Sequence, residues 1–161
     1  MKTGIIIIFH NNDNEMDPSF FIEQINQTSN LELCLVNNDS KDSTYELLNE
    51  VKDSCDNVSV INIRKFKSDV AAVKAGARFL FSAFQLKNVG YVSINMLNTK
   101  YHGLNSLIKM IAENQDVIIN YSHKPQKKKQ TLFQSLFSVI DYLKNLEIEN
   151  PFIQLQYQRN L

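Results

Sequence analysis

Short apolar runs that alternate with helical patterns are the feature that most constrains the fold of this chain. Six runs rich in β-branched and aromatic residues are predicted as strands: residues 5–9, 31–36, 58–63, 89–95, 117–121 and 152–157. The first two runs are apolar at nearly every position, as in strands that are covered on both faces. Strands that alternate with helices form a parallel sheet. The sequence therefore predicts an α/β fold with one mostly parallel, doubly wound sheet and helices on both faces.

Capping residues and apolar periodicity predict the helices between these strands. Asp17 followed by Pro18 is an N-cap and first-turn pair, and Ser43-Thr-Tyr-Glu46 has the pattern of a capping box. Ser68 is predicted to cap a third helix that runs to about residue 84. Apolar residues at helical spacing predict two further helices, over 104–111 and 132–146.

The length and the cysteine content limit the class of protein. A chain of 161 residues is expected to form a single domain over residues 1–161. Its longest unbroken apolar run, residues 5–9, is too short to span a bilayer, and no secretory signal is visible. Cys34 and Cys55 lack metal or redox spacing, and free thiols suit a reducing cytoplasm. We expect a cytoplasmic protein, with the cytoplasmic face of a membrane as a further location.

The charge is balanced overall but divided along the chain. Residues 1–56 contain 3 basic and 11 acidic side chains, whereas residues 57–161 contain 14 basic and 6 acidic ones. A basic region favours an anionic ligand, a phosphate or an acidic surface; solvated helix faces rich in lysine are the alternative. The tract 124–129 suits an acidic membrane surface or a solvated loop. The broad apolar face of the predicted helix 132–146 is either core or a surface for a homodimer or partner protein.

Polar side chains cluster where the predicted strands end, which is where an open parallel sheet binds its ligand. These sites are His10-Asn11-Asn12, Asn37-Asn38-Asp39, Arg64-Lys65 and Asn95. An amide both donates and accepts hydrogen bonds, so it suits a nucleobase or a ribose. Ordinary capping and turn formation is the alternative explanation for these Asn and Asp residues.

Three segments of the chain resemble the signatures of family-2 glycosyltransferases. Ile5-Ile-Ile-Ile-Phe-His-Asn-Asn12 resembles the first strand and its Pro-x-Tyr-Asn-Glu loop, and Val36-Asn-Asn-Asp-Ser-Lys-Asp-Ser-Thr44 resembles Val-Asp-Asp/Asn-x-Ser-x-Asp-x-Thr. Ala72-Val-Lys-Ala-Gly76 resembles Ala-x-Asn-x-Gly in the helix after the third strand. The resemblance covers residues 3–121 in the expected order.

The resemblance implies a GT-A fold that binds a nucleotide-diphospho-sugar and transfers its sugar. Residues 1–121 would be the nucleotide-sugar-binding core, and 122–161 would supply a basic loop, a long helix and a terminal strand. Carried over by position, the substrate-binding residues are His10, Asn11, Asn12, Asn37, Asp39, Lys74 and Asn95. No nucleic-acid partner is expected.

The metal site of that family has no counterpart here. The family holds Mg²⁺ or Mn²⁺ with an Asp-x-Asp motif, which falls on Asn95-Met-Leu97 or Met96-Leu-Asn98. No Asp or Glu occurs between Asp69 and Glu113, and one neutral amide does not replace two carboxylates. We therefore expect no metal and no cofactor, and no catalytic residue can be named.

Two functions follow from this departure. In the first, cations replace the metal during sugar transfer; the candidates are Lys67, Lys74, Arg78 and Lys100. In the second, the chain is a catalytically inactive relative that serves as a binding or protein-interaction module.

Overall fold

The computed structural model describes residues 1–92, 103–122, 132 and 135–146. In these described residues, five strands form one parallel sheet in the order β3-β2-β1-β4-β5. They are β1 (Lys2–Phe9), β2 (Leu31–Asn38), β3 (Val58–Ile63), β4 (Leu86–Val92) and β5 (Phe137–Ser138). The predicted α/β fold with a parallel sheet is confirmed, and the order of the strands reverses beside β1, between β2 and β4.

In the part of the chain that the structure describes, six helices connect or flank these strands. They are α1 (Pro18–Ile25), α2 (Thr44–Ser54), α3 (Asp69–Ala83), α4 (Gly103–Glu113), α5 (Gln115–Ile119) and α6 (Val139–Asn145), and a 3-10 turn covers Asp13–Glu15. None of the helices in the described ranges is both long enough and apolar enough to cross a membrane.

The central strand β1 is buried on both faces, as its apolar sequence predicts. Ile5 and Ile7 pack in a cluster with residues of α1, α2 and α4. Ile6 and Ile8 point the other way, because side chains alternate along a strand, and they pack in a cluster with α3. All four side chains are at most 1% exposed. The sheet therefore has helices on both of its faces.

Gly76 lets α3 lie close to the sheet. A Cβ at this position would stand 2.8 Å from Ile6 Cγ2 and 3.3 Å from Val36 Cγ2. Both neighbours are stiff β-branched side chains in the core, so they have little room to move away. The glycine of the third family-like segment thus has a packing role in this chain.

All three predicted N-cap residues stand at the N-cap position of their helix, but the capping box predicted at Ser43 is wrong. The side chain of Asp17 accepts from Phe20 N, and that of Ser68 accepts from Ala71 N. Ser43 makes no side-chain cap bond, because its backbone (φ −84°, ψ 10°) is not in the extended conformation that an N-cap uses. Asp42 accepts from Thr44 N at 2.9 Å instead.

Two predicted elements also differ from the structure. Residues predicted as a strand over 117–121 lie mainly in helix α5, which buries Ile118; a short apolar run does not distinguish the two. Among the described residues of the predicted helix 132–146, the helix begins at Val139, because Phe137–Ser138 pairs with β4 and the Ser138 side chain then caps α6. The sheet thus draws on residues beyond 121. The predicted strand 152–157 lies outside the described residues.

Candidate functional site at the carboxyl edge of the sheet

The loops after β1 and β2 are joined by hydrogen bonds along the carboxyl edge, which we define as residues 10–13, 37–44 and 62–68. His10 Nδ1 donates to the Asn38 carbonyl oxygen at 2.6 Å, and His10 Nε2 accepts from Asn11 Nδ2 at 3.1 Å. Asn11 Oδ1 accepts from Lys41 N at 2.7 Å, and Asn11 N donates to Ser40 Oγ at 3.0 Å. The structure therefore brings together residues that are some 30 positions apart in the sequence.

Asn12 is a structural residue of this edge. It is 7% exposed, its backbone N donates to Thr44 Oγ1 at 2.7 Å, and its Oδ1 accepts from His10 N at 2.7 Å. Its Nδ2 donates to Glu15 Oε2 at 3.0 Å. Since the donors and the acceptor of Asn12 have partners in the protein, it holds the two loops in register.

Two residues of the edge have left-handed backbones. Asn11 has φ 53° and Asp39 has φ 54°. Side chains other than glycine rarely adopt this region, and Asn and Asp tolerate it best. Backbone strain of this kind is concentrated at binding and catalytic sites. Here the two strained residues follow neighbouring strands and turn both loops across the edge.

Asn37 has the one side-chain atom of the carboxyl edge that is buried without a hydrogen-bond partner. It is 3% exposed and lies between Phe9 of β1 and Asn62 of β3 in the strand register. Its Nδ2 donates to Asn62 Oδ1 at 2.9 Å, whereas its Oδ1 has no partner. An unpaired buried acceptor costs about 1–3 kcal/mol, so the native sequence keeps it against a stability penalty.

Asp39 and Asp42 are held in the charged form. Lys41 Nζ lies 2.8 Å from Asp39 Oδ1, and Phe66 N donates to Asp39 Oδ2 at 3.3 Å. The hydrogen bond from Lys41, with that lysine's charge and the Phe66 N–H, lowers the pKa of Asp39. Burial raises the pKa of Asp42, but hydrogen bonds from the Thr44 hydroxyl and backbone outweigh it and lower the pKa.

Phe66 is a candidate site residue that the sequence analysis missed. Phe66 is 57% exposed, and its ring meets the His10 ring edge-on, with 4.9 Å between the centroids. Asn38 fixes the neighbouring residue, because its side chain bonds both Lys67 O (2.8 Å) and Lys67 N (3.0 Å). In the sequence, its position as an aromatic residue inside the basic segment Arg64-Lys-Phe-Lys67 could have identified it as a candidate.

Two of the predicted substrate-binding residues are not among the described residues of the carboxyl edge. Lys74 belongs to α3, six residues after the N-cap Ser68, and Asn95 lies outside the described residues. In the described part of the chain, no three His, Cys, Asp or Glu side chains are grouped so that they could hold a metal ion.

A cavity of about 170 Å³ lies at the opposite, amino end of the sheet. Its lining includes Lys2, Asn26, Asp56 and Asn57. Lys2 is already paired with Glu32 at 2.8 Å, and the Asn57 amide bonds neighbouring backbone. Ligands of open parallel sheets bind at the other end, so we place the candidate site at the carboxyl edge.

No protein-family model matches the sequence, and no curated protein matches it. Among solved structures, the chain is similar to residues 1–349 of TarS from S. aureus, a GT-A-like glycosyltransferase. The identity is 15% and the TM-score is 0.46, over 84% of this chain and 43% of that one. The chain thus spans less than half of the TarS structure, and no functional residue is assigned from this likeness.

Proposed function

We propose that the chain binds the nucleotide part of a nucleotide-diphospho-sugar at the carboxyl edge of its sheet. The observation that carries this proposal is the buried, unpartnered Oδ1 of Asn37. Asn37 stands where the family-2 signature has an aspartate that accepts a hydrogen bond from the base. A nucleobase N–H would give this oxygen the partner that the protein does not supply.

The hydrogen bond between Asn37 and Asn62 determines whether the base must supply a donor or an acceptor to Asn37. Because Asn62 Oδ1 occupies the Nδ2 donor of Asn37, the side chain presents an acceptor. Uracil and guanine carry a ring N–H on their pairing edges, so uridine and guanosine diphosphates are the expected ligands. Asn37 is only 3% exposed, so neighbouring side chains must move before a base reaches it.

Exposed cations near the edge suit a diphosphate. Asn38 holds the backbone of Lys67 at the edge, and the Lys67 side chain is exposed beside Arg64 and Lys65. Lys and Arg stabilise phosphoryl leaving groups by charge-assisted hydrogen bonds. In this proposal they take the place of the metal, since the sequence has no carboxylate from residue 70 to residue 112.

A catalytically inactive binding or protein-interaction module, rather than a transferase that moves the sugar of the bound nucleotide, is the second candidate function. The observation that favours it is the closure of the edge by its own hydrogen bonds, in which His10, Asn11 and Asn12 bond one another and the β2 loop. Release of nucleoside diphosphate from a nucleotide sugar distinguishes the two functions. A transferase releases the diphosphate when a suitable acceptor is present, and a non-catalytic module does not.

Thermal unfolding with a panel of nucleotides tests the binding itself. Uridine or guanosine diphosphate should raise Tm by linkage, and Asn37→Ala should weaken binding at least tenfold, about 1.4 kcal/mol. Thr3→Val is the matched control, because Thr3 Oγ1 is also buried without a partner but lies at the amino end. No Tm shift at millimolar nucleotide, or equal losses in both variants, would exclude this site.

A further inference from the structure

The two faces of the sheet carry opposite charge. On the α2 helix, Glu46, Glu50 and Asp53 are exposed beside the single cation Lys52. On the other face, the segment 64–84 contains five basic residues and one acid, Asp69. The acidic helix α2 and the basic segment that contains α3 thus lie on opposite sides of the sheet, since α2 and α3 pack on opposite faces.

Four cations of the segment 64–84 have no side-chain partner among the described residues. Arg64, Lys65, Lys67 and Arg78 have exposed side chains, and no side chain of the described residues pairs with any of them. Unpaired cations on one face produce a positive field that attracts an anionic surface.

Exposed apolar side chains stand among these cations. Phe66 is 57% exposed, Val70 46% and Phe81 42%. Val70 and Phe81 are eleven residues apart on α3, which is three turns and about 17 Å along the same side of the helix. Arg78 lies between them. We call these residues the α3 surface: Lys65, Phe66, Lys67, Val70, Arg78 and Phe81.

We infer that the α3 surface docks on an anionic lipid membrane. Interfacial helices combine Lys and Arg, which attract acidic headgroups, with Phe side chains that enter the acyl boundary. A protein interface instead concentrates its apolar residues in a buried centre and places charges at the rim. On the α3 surface, cationic and apolar side chains alternate in the loop before α3, at Lys65, Phe66 and Lys67. Near the end of the helix, Arg78 again stands beside an exposed apolar residue, Phe81, and this mixing of the two kinds of side chain favours a lipid occupant.

Vesicle sedimentation tests this inference. The full chain should bind vesicles that contain phosphatidylglycerol, bind pure phosphatidylcholine weakly, and lose binding as salt rises. Lys65→Gln with Arg78→Gln should weaken binding about 25-fold, at about fivefold per cation. Phe81→Ser should weaken it further.

Matched variants keep the test decisive. Lys52→Gln with Lys109→Gln removes two exposed cations from the opposite face, and Leu146→Ser removes an exposed apolar side chain outside the α3 surface. These variants should bind as the unmodified chain does. Equal losses in the control pair, equal binding to neutral vesicles, or no vesicle binding by a folded chain would overturn the inference. Salt-sensitive self-association that depends on Lys65 and Arg78, without vesicle binding, would show an interface between copies instead.

Discussion

A buried asparagine lies at each end of the sheet, and the two differ in whether their side chains have hydrogen-bond partners. At the amino end, Asn57 is 8% exposed and its Nδ2 donates to the carbonyl oxygens of Thr28 and Leu31, each at 2.9 Å. At the carboxyl end, Asn37 is 3% exposed and leaves its Oδ1 without a partner. Asn57 therefore ties together the backbone around it, whereas Asn37 has a buried acceptor without a hydrogen-bond partner.

An unmet acceptor alone does not define a site. Thr3 Oγ1 at the amino end also lacks a partner, yet the described residues with left-handed backbones other than glycine, Asn11 and Asp39, both lie at the carboxyl end. The exposed ring of Phe66 lies there as well. It is the combination of strain, an unpaired acceptor and exposed aromatic and cationic side chains that distinguishes the carboxyl edge.

The largest predicted effect concerns stability at the amino end. Asn57→Ala removes the donor that bonds the Thr28 and Leu31 carbonyls in a buried setting, so the free energy of unfolding should fall by about 2 kcal/mol. Nucleotide binding should not change. Urea unfolding followed by a nucleotide titration measures both. A marginal loss of stability, or a loss of nucleotide binding, would contradict the purely structural role of Asn57.

A smaller effect is predicted from the left-handed backbone of Asn11. Asn11→Gly and Asn11→Ala lose the same side-chain bonds, but glycine adopts positive φ freely, so the glycine variant should be more stable by about 1 kcal/mol. At Lys52 in α2 the order should reverse, because alanine is the better helix former by about 1 kcal/mol. Chemical denaturation of the four variants compares their free energies of unfolding directly. If the alanine variant is the more stable one at both positions, the left-handed backbone of Asn11 is not strained.

Acid should weaken the carboxyl edge through Asp39. The folded-state pKa of Asp39 is lowered, chiefly by the hydrogen bond from Lys41, so its ionised form stabilises the fold above the unfolded pKa near 3.8. That contribution is lost as the pH falls through the lowered pKa. The Tm difference between the unmodified chain and Asp39→Asn should therefore shrink from pH 6 to pH 2, and in high salt. A difference that stays constant with pH would contradict this.

The smallest predicted effect is that of a divalent metal. Because residues 70–112 hold no carboxylate, manganese should leave the nucleotide affinity of the protein unchanged. Calorimetry with and without manganese measures this, once chelation by free nucleotide is subtracted. A tenfold gain in affinity would mean that a metal-dependent site exists.

Local patterns were sufficient to predict much of the fold. The apolar runs predicted the core of β1, β2 and β3, and the caps Asp17 and Ser68 marked the starts of α1 and α3. The prediction failed where tertiary contacts decide the element. Phe137 forms a strand because it pairs with β4 and stacks on Tyr121, with 3.8 Å between the ring centroids.

The sequence predicted where the candidate site lies, but not which of its side chains have hydrogen-bond partners. Strand ends placed His10, Asn11, Asn37 and Asp39 at one edge, which the structure confirms. Whether an amide is satisfied depends on its neighbours across the sheet, so the sequence could not separate the saturated Asn12 from the unpaired Asn37. The contact between Phe66 and His10 likewise joins residues far apart in the chain.

Amide chemical shifts in a ¹H–¹⁵N NMR titration with uridine and guanosine diphosphate test the central claim most directly. The proposed site predicts that saturable shift changes are concentrated in the residues of the carboxyl edge and are reduced by Asn37→Ala but not by Thr3→Val. The amino-end residues Asn26, Ser29 and Asn57 should remain unshifted. Shifts centred on those amino-end residues, or no saturable shifts with either nucleotide, would contradict the proposal that the carboxyl edge binds a nucleotide.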